Sequence, residues 1–179
     1  METELELIEQ AQQGDRRAFG QLVRRHRKGA INVVYRMCGS AHVAEEAAQE
    51  AFIKAWTHLP SYKPRSPFRN WLYRIAINAA RDALRRERPT VDTDLEILPS
   101  PDQGPQAAAE SEERRERVRQ AVLDLPSASR EVLVLREYEG LSYKEIASTL
   151  GIPMGTVMSR LNYARGHLRK SLAPYVEGA

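Results

Sequence analysis

Residues 142–161 read SYKEIASTLGIPMGTVMSRL and decide the fold of the C-terminal part of the chain. Ser142, followed three residues later by a glutamate, is the start of a capping box, which begins a helix. Gly151 supplies the left-handed residue that ends this helix, and Pro153 prevents its continuation. A longer helix then begins. This order of elements predicts a helix-turn-helix over residues 142–162.

The longer helix has an outer face suited to DNA. No acidic residue occurs between Glu145 and Glu177, whereas a helical hairpin that only packs has no reason to exclude acids. The first residues of such a helix reach base edges in the major groove, and its cations hold phosphates. The candidate contact residues are Thr156, Met158, Ser159, Arg160, Asn162, Tyr163 and Arg165.

A helix nearer the N-terminus carries a concentration of acidic groups. Residues 44–56, AEEAAQEAFIKAW, keep an amphipathic helical pattern without interruption. The outer side chains in its first half have few basic partners at helical spacing, so we expect an unpaired acidic face. Such a face can dock on a basic partner surface, although a merely solvated face is the alternative. This acidic face comprises Glu45, Glu46, Gln49 and Glu50.

The next helical segment, FRNWLYRIAINAARDALRRER at residues 68–88, carries a row of cations. Its spacing places Arg74, Asn78, Arg81 and Arg85 on one helix face. We call these four residues the basic row. Guanidinium groups around one amide predict a surface that follows phosphates and reads one base.

Aromatic residues lie close to the basic row in sequence. Rings that stack on unpaired bases, interleaved with cations, are typical of single-stranded DNA binding. For Phe68 and Trp71 we accept a core role as the simpler interpretation. For Tyr62, which lies between Pro60 and Pro64, we favour base stacking over a core role.

The segment between the two helical parts has a different composition. Every charged residue from Asp92 to Glu113 is acidic, and prolines and a glycine interrupt any helical period. We predict a flexible acidic linker over residues 91–112. The fold class is therefore all-α, with two small helical domains at residues 1–90 and 113–179.

Several classes of protein are disfavoured by the sequence. The four histidines are far apart and lack metal-ligand spacing, and no glycine loop for phosphate occurs. We therefore predict no enzyme, metal, cofactor or small-molecule substrate. The acidic start and the lack of a long apolar run indicate a cytoplasmic protein. A helix-turn-helix repressor or activator that binds duplex DNA by itself remains the alternative, although the N-terminal half resembles no dimerisation domain.

Four motifs together resemble the extracytoplasmic-function (ECF) sigma factors, the minimal group of the bacterial sigma-70 family. They are GDRRAF at residues 14–19, AEEAAQEAF at 44–52, WLYRIAIN at 71–78, and GLSYKEIA with GTVMSRL at 140–147 and 155–161. The resemblance covers nearly the whole chain and keeps the order and spacing of the family. It implies a region 2 helical bundle followed by a region 4 helix-turn-helix.

The resemblance also implies partners and roles. The acidic face would dock on the clamp helices of the largest subunit of core RNA polymerase, and region 4 on the flap of the second-largest subunit. Lys54, Tyr62 and Asn78 would melt the −10 promoter element and capture a flipped base. Met158, Ser159, Asn162 and Tyr163 would read the −35 element, while Thr156, Arg160 and Arg165 hold phosphates. An inhibitory partner, an anti-sigma factor of a kind often bound to membranes, is also implied.

Three positions depart from the pattern of the family. Glu46 stands where an aspartate is usual, which keeps the charge. Met158 and Tyr163 stand where a lysine or an arginine is common. Because both lie on the predicted reading helix, the base preference of this chain is expected to be its own, with a weaker salt-dependent component of binding.

Overall fold

The computed structural model describes residues 2–86 and 105–176, with the side chains of the second stretch described from residue 111 to residue 175. Within these stretches the regular structure is entirely helical, which confirms the predicted all-α class. The N-terminal half consists of α1 (Glu4–Gln12), α2 (Arg16–Cys38), α3 (Ala41–His58) and α4 (Phe68–Arg86). The C-terminal half consists of α5 (Pro105–Leu123), α6 (Ser127–Leu133), α7 (Tyr143–Leu150) and α8 (Met154–Val176).

Side-chain caps define where the helices of the N-terminal half begin. Thr3 and Glu6 form a capping box at α1, and the Asp15 carboxylate accepts hydrogen bonds from two backbone N–H groups at α2. Gly39 ends α2 with φ of +78°, a left-handed conformation that glycine adopts without strain. Ser40 caps α3 directly afterwards. The chain therefore reverses direction between α2 and α3 within two residues.

One apolar cluster fixes the arrangement of α1 against the other N-terminal helices. Leu7 and Leu22 are fully buried, as is Leu72 from α4, and Phe68 from α4 is only 1% exposed. Each such side chain contributes roughly 1.5–3 kcal/mol when it is removed from water. The cluster sets the start of α4 against the end of α3, which brings the acidic face and the basic row onto one small bundle.

In the C-terminal half, α6 continues into one wide turn of π-helix, Val134–Tyr138. The Glu139 N–H donates to the Val134 carbonyl at 3.3 Å, a bond five residues long that is typical of this geometry. Residues 131–138 thus include the second part of a longer element that begins at Ser127. Val132, Leu133, Val134 and Leu135 on this element are all buried.

The predicted linker needs one correction. Helix α5 begins at Pro105, inside the range 91–112 that we expected to be flexible. Proline is well accommodated in the first turn of a helix, and the alanines at 107–109 are strong helix formers, so the acidic charges did not prevent helix formation. The earlier part of the predicted linker, up to residue 104, lies outside the described residues.

The two halves pack against each other. A single apolar cluster includes Val33 and Met37 of α2 together with Val122, Leu125 and Val132 of the C-terminal half. At Gly39 the packing is so close that an added Cβ would lie 2.6 Å from a methyl group of Leu123. The half-buried Arg130 guanidinium donates to the Met37 carbonyl across the contact and to the Leu125 carbonyl, at 2.9 Å, within its own half.

Candidate nucleic-acid and polymerase interfaces

The turn between α7 and α8 has the geometry that the sequence predicted. The Ser142 hydroxyl accepts a hydrogen bond from the Glu145 N–H at 3.2 Å, and the Glu145 carboxylate accepts one from the Ser142 N–H at 2.8 Å. The bond from the Ser142 N–H, with further bonds from the Ser142 hydroxyl and the Asn70 amide, stabilises the ionised Glu145 carboxylate and lowers its pKa. Gly151 ends α7 with φ of +67°. The predicted helix-turn-helix is confirmed.

Helix α8 presents the predicted DNA-reading residues to solvent. Val157, Leu161 and Ala164 face the core, whereas Met158 and Tyr163 are 48% and 55% exposed. The other predicted contact residues of α8 are exposed or half-buried on the side away from the core: Thr156, Ser159, Arg160, Asn162 and Arg165. The Met158 and Tyr163 side chains are exposed enough to contact bases or another apolar surface.

Arg165 has a partner that the sequence did not reveal. Its guanidinium donates to Glu137, from the π-helical turn, at 2.7 and 3.2 Å. Both side chains are nearly half exposed, so the pair contributes little to stability and a phosphate can compete for the arginine. The predicted phosphate contact of Arg165 therefore requires an exchange of partners.

Only part of the basic row on α4 is available to contact DNA. Arg74 and Asn78 are exposed, as expected for residues that contact DNA. Arg81 forms a bidentate ion pair with Glu131 of the C-terminal half, in which the guanidinium donates to the two carboxylate oxygens at 2.6 and 2.5 Å. The same guanidinium donates to the Asn78 side-chain oxygen at 3.1 Å. Arg85 pairs with Asp82. The row that looked free of acids in sequence is thus neutralised at one end by residues from outside its helix face.

Lys54 of α3 reaches the same group of charges. Its ammonium group donates to Asp82 of α4 at 3.3 Å. This bond and the neighbouring arginine lower the pKa of Asp82, which therefore stays ionised between two cations. Lys54 and the basic row accordingly lie on one surface, which sequence distance alone could not establish.

Our preference for base stacking by Tyr62 over a core role is not supported by the structure. The Tyr62 ring is only 6% exposed and packs against Phe68 and Trp71, with ring centroids 5.8 and 4.9 Å away. Its hydroxyl donates to the Ser66 carbonyl at 2.7 Å, and burial raises its pKa. The prolines on either side fold this segment into a short 3₁₀ turn followed by a loop, which turns the ring inward.

The acidic face of α3 is exposed but not unpaired. Glu45, Glu46 and Gln49 are exposed, and Glu45 lies 3.8 Å from Arg27. Glu50 accepts two hydrogen bonds from Arg86 of α4, at 3.1 and 3.0 Å, and these lower the pKa of its carboxyl group. The expectation of an unpaired face was therefore wrong for Glu50, because its partner comes from a different helix.

Sequence reasoning missed one residue of this surface. Ile53 is 61% exposed and follows Glu46, Gln49 and Glu50 on the same side of α3, at helical spacing. A large apolar side chain bordered by carboxylates has the composition of an interface centre with a polar rim. The i, i+3, i+4, i+7 spacing of these four residues was the signal that could have revealed it.

Across residues 2–86 and 105–176, no group of three or more His, Cys, Asp or Glu side chains is arranged to hold a metal ion. None of the described helices is both long enough and apolar enough to span a membrane.

Family models match both halves of the chain. The model for sigma-70 region 2 matches residues 22–90, and the model for sigma-70 region 4 matches residues 115–168. Together they cover more than half of the sequence, in the order in which the family carries them. The N-terminal match includes the acidic face and the basic row, and the C-terminal match includes the helix-turn-helix.

Curated relatives match over nearly their whole lengths. The RNA polymerase sigma-H factor of Pseudomonas aeruginosa is 38% identical over 99% of this chain and 98% of the relative. The ECF RNA polymerase sigma factor SigW of Bacillus subtilis is 36% identical over 92% of this chain and 94% of its own. The ECF RNA polymerase sigma-E factor of Escherichia coli K12 is 37% identical over 97% of this chain and 96% of its own.

Two solved structures share the fold. CnrH, in complex with the cytosolic domain of CnrY, superposes with a TM-score of 0.72 at 33% identity, over 94% of this chain and 96% of its own. The sigma factor RpoE of Bartonella quintana, in complex with the anti-sigma factor NepR, superposes with a TM-score of 0.68 at 22% identity, over 87% and 96%. The second likeness concerns the fold alone. With both family regions present and relatives that match from end to end, the chain belongs to the ECF sigma factors of the sigma-70 family.

Proposed function

We propose that this chain binds core RNA polymerase and directs it to promoters, reading the −35 element with α8 and opening the −10 element with α4. The observation that carries the proposal is the presence of both family regions in order, each with an exposed face suited to its task. We propose residues 1–90 and 113–179 as the two functional units. As a transcription initiation factor the chain adds promoter choice to the polymerase, whose active site performs the chemistry.

The polymerase contact is assigned to the acidic face together with Ile53. The exposed Ile53 side chain supplies an apolar anchor, and Glu46 and Gln49 supply a polar rim beside it. Carboxylates in this position favour a basic partner surface, such as the clamp helices of the largest polymerase subunit. The C-terminal half would contact the flap of the second-largest subunit.

The −10 element is assigned to the surface that joins α3 and α4. The exposed Arg74 guanidinium can hold a phosphate, and the exposed Asn78 amide can read the edge of an unpaired base. Lys54, Arg81 and Arg85 would add phosphate contacts once their acidic partners release them. Tyr62 can stack on a base only if its loop moves, so Asn78 is the better candidate for base recognition.

The −35 element is assigned to α8. Met158, Ser159, Asn162 and Tyr163 would face base edges in the major groove, and Thr156, Arg160 and Arg165 would hold the backbone. The exposed Met158 and Tyr163 side chains favour apolar contact, for which the methyl group of thymine is the natural partner. We therefore expect a −35 preference that differs from that of relatives with cations at these positions.

Two further proposals concern the setting in which the chain works. We propose that it acts in the cytoplasm, where the polymerase and the promoters are. We also propose that an anti-sigma factor controls it, since CnrH, 33% identical to this chain, was solved with the cytosolic domain of a partner protein, CnrY.

The proposal is tested by run-off transcription with purified bacterial core polymerase on a library of promoter-like templates. We expect discrete transcripts that require both the chain and the core enzyme, and their start sites would define the promoter consensus. Tight duplex binding by the chain alone, with no chain-dependent transcript, would instead support a stand-alone repressor or activator.

Two substitutions separate the proposed tasks. Asn78→Ala should preserve polymerase binding but reduce promoter opening, because it removes the base-reading amide. Ile53→Ser should instead weaken polymerase binding itself, by about 2 kcal/mol for an interface hot spot, and promoter opening should fall only as a consequence. Polymerase binding is measured by co-elution and opening by permanganate reactivity of unpaired thymines. Loss of polymerase binding in Asn78→Ala would contradict this division.

A further inference from the structure

A cavity of about 500 Å³ lies between α2, α5 and the π-helical turn. This volume falls within the range of roughly 300–1,000 Å³ that is typical of pockets for small molecules. Its walls are mostly carbon and include the rings of Tyr35 and Tyr138 and the side chain of Val118. Of the described residues that line it, none belongs to the acidic face, the basic row or α8. The cavity is therefore separate from the surfaces assigned above.

Arginines give this cavity its charge. Four of them line it: Arg36 of α2 and Arg114, Arg115 and Arg119 of α5. Arg115 lies 3.6 Å from Glu112, and Arg119 donates to Glu116 at 2.6 Å. Arg36 and Arg114 form no ion pair or hydrogen bond with any residue that the structure describes. Because two glutamates face four arginines, the lining has an excess of positive charge and two cations that can accept an anion.

The Arg36 guanidinium is already held in place. It lies over the Tyr138 ring, 3.5 Å from the ring centre, in a cation–π contact. Such a contact engages the face of the guanidinium, whereas its N–H donors lie in its plane and stay available for a two-pronged bond to a phosphate. Tyr138 is the last residue of the π-helical turn, a geometry that is frequent at functional sites.

The cavity also offers a flat ring and acceptors. Tyr35 is half-buried, and burial raises its pKa, so its hydroxyl stays protonated. Aromatic side chains of this kind stack on the bases of nucleotides whatever the base. The bond from Arg119 lowers the pKa of Glu116, which is therefore ionised and accepts hydrogen bonds from hydroxyl or amino groups.

These features together describe one class of ligand. Inorganic phosphate lacks a ring for Tyr35, and an uncharged aromatic compound lacks an anion for Arg36 and Arg114. We propose that the cavity binds a nucleoside phosphate, with its phosphates on these two arginines and its base against Tyr35. Guanidinium groups from two helices hold the phosphates in this arrangement, so the site needs no glycine loop. The ligand is bound and released unchanged, which makes it an effector rather than a substrate.

The position of the cavity defines what the ligand does to the chain. One wall, α2, belongs to the N-terminal half, and the other walls belong to the C-terminal half. A ligand that binds only the folded chain raises its stability in proportion to its occupancy. Binding is therefore measurable without polymerase or DNA, and its failure would leave the proposed function untouched.

The test is isothermal titration calorimetry of the full chain with ADP, in a buffer that contains EDTA so that the phosphates carry no metal ion. Adenosine and inorganic pyrophosphate are titrated separately. Arg36→Gln removes a cation from the cavity, and Arg24→Gln removes the same charge from an exposed position of α2 outside it. Tyr35→Leu removes the ring, whereas Tyr35→Phe keeps it.

We expect one ADP per chain. Arg36→Gln and Tyr35→Leu should each weaken ADP binding about tenfold, while Arg24→Gln and Tyr35→Phe remain close to the wild type. Adenosine and pyrophosphate should each bind at least about tenfold more weakly than ADP, since each lacks one half of the recognised chemistry. ADP should also raise the melting temperature of the wild type more than that of Arg36→Gln.

Three results would overturn the proposal. The first is the absence of saturable ADP binding, and the second is an equal loss of affinity in Arg36→Gln and Arg24→Gln. The third is pyrophosphate or adenosine binding as tightly as ADP, which would reduce the cavity to a simple anion site or a simple apolar one. If Arg36→Gln does not fold by circular dichroism, Arg114→Gln replaces it with the same criteria, because Arg114 is exposed.

Discussion

Single residues set how closely the two halves approach. Gly39 combines a left-handed backbone with direct packing against Leu123, so it has two separate reasons to lack a side chain. Gly140 has a similar φ of +69°, but an added Cβ would meet nothing within 4 Å. The pair of glycines therefore offers a way to separate backbone strain from packing.

We predict that Gly140→Ala destabilises the protein by about 1–2 kcal/mol through backbone strain alone. Gly39→Ala should cost more, since Leu123 must also move to admit the methyl group. Urea denaturation of the two variants measures the difference. Equal losses of unfolding free energy in the two variants would mean that the Leu123 side chain moves aside at no energetic cost. The halves would then be loosely packed at this point.

Met158 is an uncharged residue on the predicted DNA-reading face of α8. Replacing it with arginine should strengthen binding to duplex DNA of arbitrary sequence and steepen the plot of log affinity against log salt concentration by about one unit. The control is Leu5→Arg, which adds the same charge at an exposed position of α1. A slope that changes equally in both variants would indicate a general charge effect, and Met158 would then not face the DNA.

At the scale of the element, the helix-turn-helix depends on the capping box of α7. Removing the hydroxyl in Ser142→Ala should cost about 1 kcal/mol, because the Glu145 N–H then loses its acceptor. Thermal denaturation measures this loss. Ser148→Ala, at an exposed position within the same helix, is the control and should leave stability nearly unchanged.

The Glu145 carboxylate also makes this element sensitive to acid. Its pKa in the folded protein is lowered from 4.5 by the bonds from Ser142 and Asn70. A lowered pKa means that the stabilisation is present above about pH 4.5 and is lost as pH falls through the folded-state value. We predict that the stability difference between wild type and Glu145→Gln, measured by denaturation, shrinks below pH 4.5. A constant difference would contradict this assignment.

The local elements could be predicted from sequence because their signals are local. The capping box, the glycine stop and the apolar periods of α3, α4 and α8 each depend on residues a few positions apart. The pair between Arg81 and Glu131 and the pair between Glu50 and Arg86 could not be predicted, since they join different helices. Tyr62 was misjudged because a loop position in sequence does not reveal whether the loop folds inward.

At the scale of the whole molecule, the shared apolar cluster should make the two halves unfold together. Trp56 and Trp71 report on the N-terminal half by fluorescence, whereas far-ultraviolet circular dichroism reports on all helices. We predict that both signals give one coincident urea transition in the wild type. Arg130→Ala removes the hydrogen bond to the Met37 carbonyl across the contact and the bonds within the C-terminal half. It should cost at least about 2 kcal/mol and should separate the two transitions. Coincident transitions in this variant would mean that apolar packing alone couples the halves.

The apolar cluster that spans the halves also bears on how the chain survives without a partner. If the two halves separate, the chain exposes parts of an apolar surface that includes Val122, Leu125 and Val132. Surfaces of this kind drive proteins to associate with one another. Packing of the two halves against each other therefore keeps these apolar residues covered, and we expect it to keep the chain monomeric until a partner surface covers them.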